Sequence, residues 1–173
     1  MKNLLKFFAL AIISLAFCTT SSGQGATESS PAHATIVGPI TITLVRDLNF
    51  GNVAASALAG TVILDPIAAS TRTAVGGVTL PAATGTVQSA QFTVAGVVGY
   101  TYSVAIPTVS VTLSDGTNNM TVDDFTSTPS GAGGDLSSGS ETLYVGATLN
   151  VNAAQPAGVY NSLADFDVTV NYN

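Results

Sequence analysis

The stretch Leu163-Ala164-Asp165-Phe166-Asp167-Val168-Thr169-Val170-Asn171-Tyr172-Asn173 alternates from Ala164 onward between apolar and polar side chains. Ala164, Phe166, Val168, Val170 and Tyr172 fall on one side, with Asp165, Asp167, Thr169, Asn171 and Asn173 on the other. A period of two belongs to a β-strand with one dry face and one wet face. Chain ends are loose unless tied down, so a pattern kept up to Asn173 predicts a strand held by pairing. What it pairs with decides the fold.

The rest of the chain reads in the same way. Strands are expected over residues 35–45, broken by Gly38-Pro39, with Ile40, Ile42 and Leu44 sharing a face beyond the break. Further strands follow at 61–64, at 72–80 with Gly76-Gly77 as a turn or bulge, at 90–95, and at 100–106 with Tyr100, Tyr102, Val104 and Ile106 together. Val109, Val111 and Leu113 mark another, Met120 and Val122 with Phe125 the next, and 143–151 and 163–172 complete the set. No stretch keeps apolar residues at helical spacing for more than a turn or two, and β-branched residues abound. Short strands at roughly ten-residue spacing, with turns such as Ser114-Asp115-Gly116 and Pro129-Ser130-Gly131, predict an all-β, immunoglobulin-like β-sandwich of short antiparallel strands. The Gly- and Ser-rich stretch 127–140 reads as a surface loop.

Residues 1–23 read as a cleaved signal peptide: Lys2 and Lys6 supply the charge, and residues 4–17 an apolar run too short for a comfortable bilayer span. Export to the cell surface or beyond, by way of the periplasm, is the expectation. Residues 24–33 are polar and Pro-broken and read as a flexible leader, and 34–173 as a single domain. Cys18, the only cysteine, leaves with the signal, so the mature chain folds by burial alone. At that length a domain buries roughly 70% of its unfolded surface, enough for a core.

The whole chain carries a formal charge of −6, and losing Lys2 and Lys6 leaves Arg46 and Arg72 against ten carboxylates. Such a chain will not track a phosphate backbone or an anionic membrane surface. The mature part also holds no integral span.

Catalytic signatures are sparse. The single histidine, His33, lies in the leader, so no Ser-His-Asp, Cys-His or histidine-rich metal arrangement can be assembled. Asp165 and Asp167 stand two apart on the wet face, about 7 Å by strand rise, a spacing compatible with a carboxylate pair of a glycosidase. That chemistry needs a cleft, and a solvent-facing strand reads as solubilising charge. Asp123 and Asp124 point to opposite faces of a continuous strand. Asp115-Gly116-Thr117-Asn118-Asn119 is rich in oxygen ligands but lacks the order of a calcium loop and reads as a hairpin turn. With no tryptophan to offer a sugar platform, the aromatic residues read as core. The expectation is a non-enzymatic protein with no cofactor and no metal.

The segments Asp47-Leu48-Asn49-Phe50-Gly51, 72–80 with Gly76-Gly77-Val78, Gln91-Phe92-Thr93-Val94, 100–106, Val145-Gly146-Ala147-Thr148-Leu149, and Gln155-Pro156-Ala157-Gly158-Val159-Tyr160 leading to Val168-Thr169-Val170-Asn171-Tyr172 follow one another in order along the mature chain. In that order the chain resembles the exported bacterial family called domain of unknown function 4402, and is similar to spore-coat-protein-U-like domains and chaperone–usher fimbrial subunits. Fimbrial subunits commonly have a penultimate Tyr and a Gly fourteen residues before it, matched here by Tyr172 and Gly158. The resemblance implies a fimbrial-type sandwich and an assembly strand made of Ala164, Phe166, Val168, Val170 and Tyr172, with Gly158 at the turn into it. It also implies a donor segment near the N-terminus, where Ala34 and Ile36 alternate after Pro31, and partners in a periplasmic chaperone, an outer-membrane usher and further copies of the chain. The expected function is a structural or adhesin-like subunit of a surface appendage, built by β-strand complementation. The alternative is a self-contained secreted binding module, for glycans among other ligands.

Overall fold

The computed structural model of the protein describes residues 23–173, so the expected signal segment lies outside the described residues apart from Gly23. The chain divides into two units, Met1–Thr35 and Ile36–Asn173. In the first, residues 23–35 are exposed and carry no regular secondary structure.

The second unit is an all-β, sandwich-like fold, with no helix among the described residues. Its strands are β1 (Thr41–Arg46), β2 (Asn49–Phe50), β3 (Ala54–Leu64), β4 (Arg72–Thr79), β5 (Val87–Gln88), β6 (Ala90–Ala95), β7 (Thr101–Ala105), β8 (Val111–Ser114), β9 (Asn119–Thr128), β10 (Gly134–Asp135), β11 (Ser140–Val151), β12 (Asn161–Ser162) and β13 (Thr169–Tyr172). The large sheet is built on β11. Along one edge of β11, β6 pairs with its first half and β3 with its second, while β9 runs along the other edge. From these, β1 extends outward from β6, β4 from β3, and β8 then β12 from β9. A smaller sheet has the order β10-β7-β13, and β2 and β5 form a two-stranded ribbon.

Close approaches of backbone set this layout. At Gly146, where β6 gives way to β3, a Cβ would lie 2.1 Å from the Leu64 carbonyl oxygen and 2.8 Å from the Pro66 nitrogen. Only glycine lets the two chains meet β11 side by side. The alternation of β11 puts Leu143, Val145, Leu149 and Val151 in the core, joined by Val62 and Leu64 of β3 and Val94 of β6. The small sheet contributes Tyr102, Val104 and Val170. Each such large apolar side chain contributes about 1.5–3 kcal/mol through burial.

Several expected strands change in extent. β3 begins at Ala54, seven residues before the expected start, because its first half consists of exposed residues, small except for Leu58, that carry no alternation, and it slips register between Ala55 and Gly60. The Gly- and Ser-rich stretch 127–140 is more than a surface loop: it contains the end of β9, β10, and Leu136, which is fully buried. Gly134 of β10 lies against the Tyr102 ring, where a Cβ would come within 2.3 Å of a ring carbon. Burial first, then the nearby Glu141 carboxylate, pushes the Tyr102 phenol well above its usual range.

Asp123 and Asp124 do not simply face opposite ways. β9 runs through both as a bulge, with Thr148 opposite Asp123 and Gly146 opposite Thr126, so that Asp124 and Phe125 together oppose Ala147. Asp124 takes φ +45°, a left-handed conformation that Asp tolerates better than most residues. The extra residue shifts the phase, so Met120 and Val122 are buried before it and Phe125 and Ser127 after it.

Candidate strand-accepting edge and groove

β13 is the outer strand of the small sheet, paired on one side with β7 and on the other with no strand. Its register sets Thr169 against Ala105, Val170 against Val104, Asn171 against Ser103 and Tyr172 against Tyr102. The Asn173 N–H donates to the Thr101 carbonyl at 3.2 Å, which fixes the phase of the ladder. In an antiparallel pair, alternate residues turn their main-chain groups to the partner. Asn171 and Thr169 therefore bond to β7, and the main-chain groups of Val170 and Tyr172 point to the open edge. β1, the edge strand of the large sheet, passes close to β13 without pairing with it.

Side chains tie β13 down. Val170 is buried among the core residues at 8% exposure. The Tyr172 hydroxyl accepts a hydrogen bond from the Val97 N–H at 2.8 Å, and its ring packs on Tyr100 with centroids 5.4 Å apart. The penultimate tyrosine thus stitches the end of the small sheet to the β6–β7 connection.

The expected strand is shorter than the alternation suggests. Residues 163–168 form a link instead of a ladder. β12 pairs with β8 at the far end of the large sheet, the Leu163 N–H donates to the Thr112 carbonyl at 3.0 Å, and strand pairing resumes only at Thr169. A second link, residues 106–110, joins β7 to β8 and so connects the same two sheets in the opposite direction. Pro107 lies in this link, where it has no N–H to offer a ladder.

Between the two links lies an open groove of about 600 Å³, walled by residues 105–112 and by residues 163–167 with Thr169. Val109 (72% exposed) and Leu163 (69% exposed) stand on its apolar walls, open to solvent. Phe166 is half-buried, its ring 5.0 Å from that of Phe125. A smaller hollow of about 300 Å³ shares the wall Ile106-Pro107-Thr108-Val109 and adds Asp123, Asp124 and Phe125.

The structure gathers some of the expected residues and separates others. Phe166, Val168, Val170 and Tyr172 lie in sequence along this edge and its groove; the first two are half-buried and unladdered, and Ala164 is exposed. Gly158 is not part of the strand. It lies in the β11–β12 connection, where a Cβ would sit 3.1 Å from an Asp115 carboxylate oxygen. Ala34 and Ile36 belong to no strand, and Ile36 is 97% exposed. Among the described residues, strand pairing starts at Thr41.

The Asp115 loop is a self-contained turn. Its carboxylate accepts from the N–H groups of Thr117 (2.8 Å) and Asn118 (2.6 Å) and from the Asn118 side-chain amide (3.0 Å). The bonds from Asn118, main chain first, and then from Thr117 pull its pKa down to about 2. Asp165 and Asp167 line the open groove and are exposed. Among the described residues, no group of three or more His, Cys, Asp or Glu is placed to hold a metal ion. No helix of the described residues is long and apolar enough to cross a membrane.

Sequence reading missed the 106–112 wall because Val109, Val111 and Leu113 suggest one continuous strand. Pro107 was the available signal for the break.

The unit Ile36–Asn173 is therefore an all-β sandwich-like domain with an open sheet edge on β13 and an apolar groove at the end of the β7–β13 ladder. Residues 40–172 match the family described as Domain of unknown function (DUF4402), and the chain belongs to that family. Comparison with the curated proteins and with the solved structures finds no match.

Proposed function

We propose that this protein is an exported structural or adhesin-like subunit of a bacterial surface appendage, assembled by adding a strand to its C-terminal edge. The observation that carries the reading is the open edge of β13, whose outward main-chain groups at Val170 and Tyr172 continue into the unladdered link 163–168. Unpaired strand edges are templates for another strand, and proteins that do not use them usually cover or charge them. An added strand would bond to the outward main-chain groups of that edge. Two donors fit the reading: the leader of a neighbouring copy, through Ala34 and Ile36, or a strand of another protein such as a periplasmic chaperone or an outer-membrane usher.

Material sheared from the producing cell, run on a denaturing gel with and without boiling and blotted for this chain, tests the proposal. A ladder of multimers that collapses on boiling is expected of a strand-exchanged polymer. A single monomer band under both conditions would favour the self-contained binding module, a reading supported by the pairing of β1 with β6 inside one chain.

A further inference from the structure

The groove between the two links has a chemical character of its own. Its walls are apolar at Ile106, Val109, Leu163 and Phe166, while Asp165 and Asp167 line it and Asp123 and Asp124 line the hollow that shares its wall. No lysine or arginine lines either. A groove with apolar walls and carboxylates along them attracts a segment that alternates apolar and cationic side chains.

The chain itself cannot supply one from its described residues. Its two arginines there are both engaged. Arg46 donates through Nε to the Ser89 carbonyl at 3.1 Å and lies 5.7 Å from the Tyr144 ring centre. Arg72 donates to the carbonyl oxygens of Phe50 and Asn52. Residues 23–40 hold no lysine or arginine at all, and they bring Glu28. A neighbouring copy's leader would therefore bring no cationic side chain to meet the four carboxylates, and its Glu28 carries a charge of the same sign.

We infer that the groove receives an extended segment of a different protein, with lysine or arginine between its apolar residues. This rests on the strand-addition reading and narrows the donor's chemistry. The apolar side chains of the segment pack against Val109, Leu163 and Phe166. Its cations face Asp165 and Asp167 on one wall and Asp123 and Asp124 beyond the other. Its main chain lies along the unladdered link, on the side that faces residues 106–112.

The test uses the chain from residue 24 to 173 and three short synthetic peptides: one alternating valine and lysine, one alternating valine and glutamate, and one with the sequence of residues 24–40. Binding is followed by NMR shifts of backbone amides at low and at physiological salt. The valine–lysine peptide is expected to shift residues 106–112 and 163–169, to bind the D165N/D167N double variant about fivefold more weakly or worse, and to weaken as salt rises. Both aspartates are exposed, so these variants keep the fold, and Asp47→Asn on the β1–β2 link serves as a charge control that leaves binding unchanged. Equal or tighter binding of the valine–glutamate or leader peptide at the same residues would overturn the cationic assignment and leave strand addition standing. Shifts from none of the three peptides at the groove or at β13 would overturn both.

Discussion

Residues 163–168 and Thr169–Tyr172 carry one continuous alternating pattern, yet only the second half is laddered. Thr169–Tyr172 has β7 beside it in register, and Val170 reaches the core. Residues 163–168 cross from one sheet to the other, with the opposing link interrupted by Pro107 and a groove between them. Alternation reports which side chains face inward, because that depends on the local backbone alone. It does not report whether a neighbouring strand exists, which depends on distant chain. The first half is thus a strand in side-chain pattern without a partner, and this makes it a candidate acceptor.

The sharpest way to break this contrast is to place a charge on each half. Val170→Asp puts an unpaired carboxylate in the core and is expected to cost about 3 kcal/mol or more, read as loss of the cooperative transition in urea. Phe166→Ala, on the half-buried side of the link, loses the packing on Phe125 and is expected to cost about 1–2 kcal/mol by the same measurement. Tyr172→Phe keeps the ring and removes the acceptor for the Val97 N–H, with an expected loss of about 1 kcal/mol. Ala164→Asp, on the exposed part of the link, is expected to stay within about 0.5 kcal/mol. If Ala164→Asp were as damaging as Val170→Asp, the two halves would not differ in the isolated chain.

A smaller effect concerns acid. Asp115 has a folded pKa of about 2 against an ordinary 3.8, so its contribution to stability is present above pH 3.8 and is lost as pH falls toward 2. Asp115→Asn should flatten the acid dependence of stability in that window, measured by circular dichroism during an acid titration. A variant that unfolds in acid with an unchanged profile would show that the turn does not contribute.

Much of the fold was legible because burial writes itself into spacing. β4, β6 and the small-sheet strand β7 lie where alternation and turn residues predict them, and β11 begins three residues early. The parts that escaped share a physical cause. The first half of β3 is built of exposed residues, small except for Leu58, and has no dry face to announce it. The bulge at Asp124 inserts one residue, so the pattern changes phase without changing character. Leu136 is a lone apolar residue among Gly and Ser, and only the tertiary fold shows that it is fully buried. Of the candidate site, the order Phe166, Val168, Val170 and Tyr172 was readable, whereas the groove was not, since its second wall comes from a link more than fifty residues upstream. Gly158 carries the expected spacing from Tyr172 but serves a turn beside Asp115.

Amide hydrogen exchange of residues 163–172, compared between the isolated chain and assembled material from the cell surface, tests the strand-accepting edge most directly. The account predicts fast exchange for 164–168 and for the outward amides of Val170 and Tyr172 in the isolated chain, with slow exchange at Asn171, and protection of the whole run after assembly. Exchange of 164–168 that is equally fast in both, or already slow in the isolated chain, would contradict it.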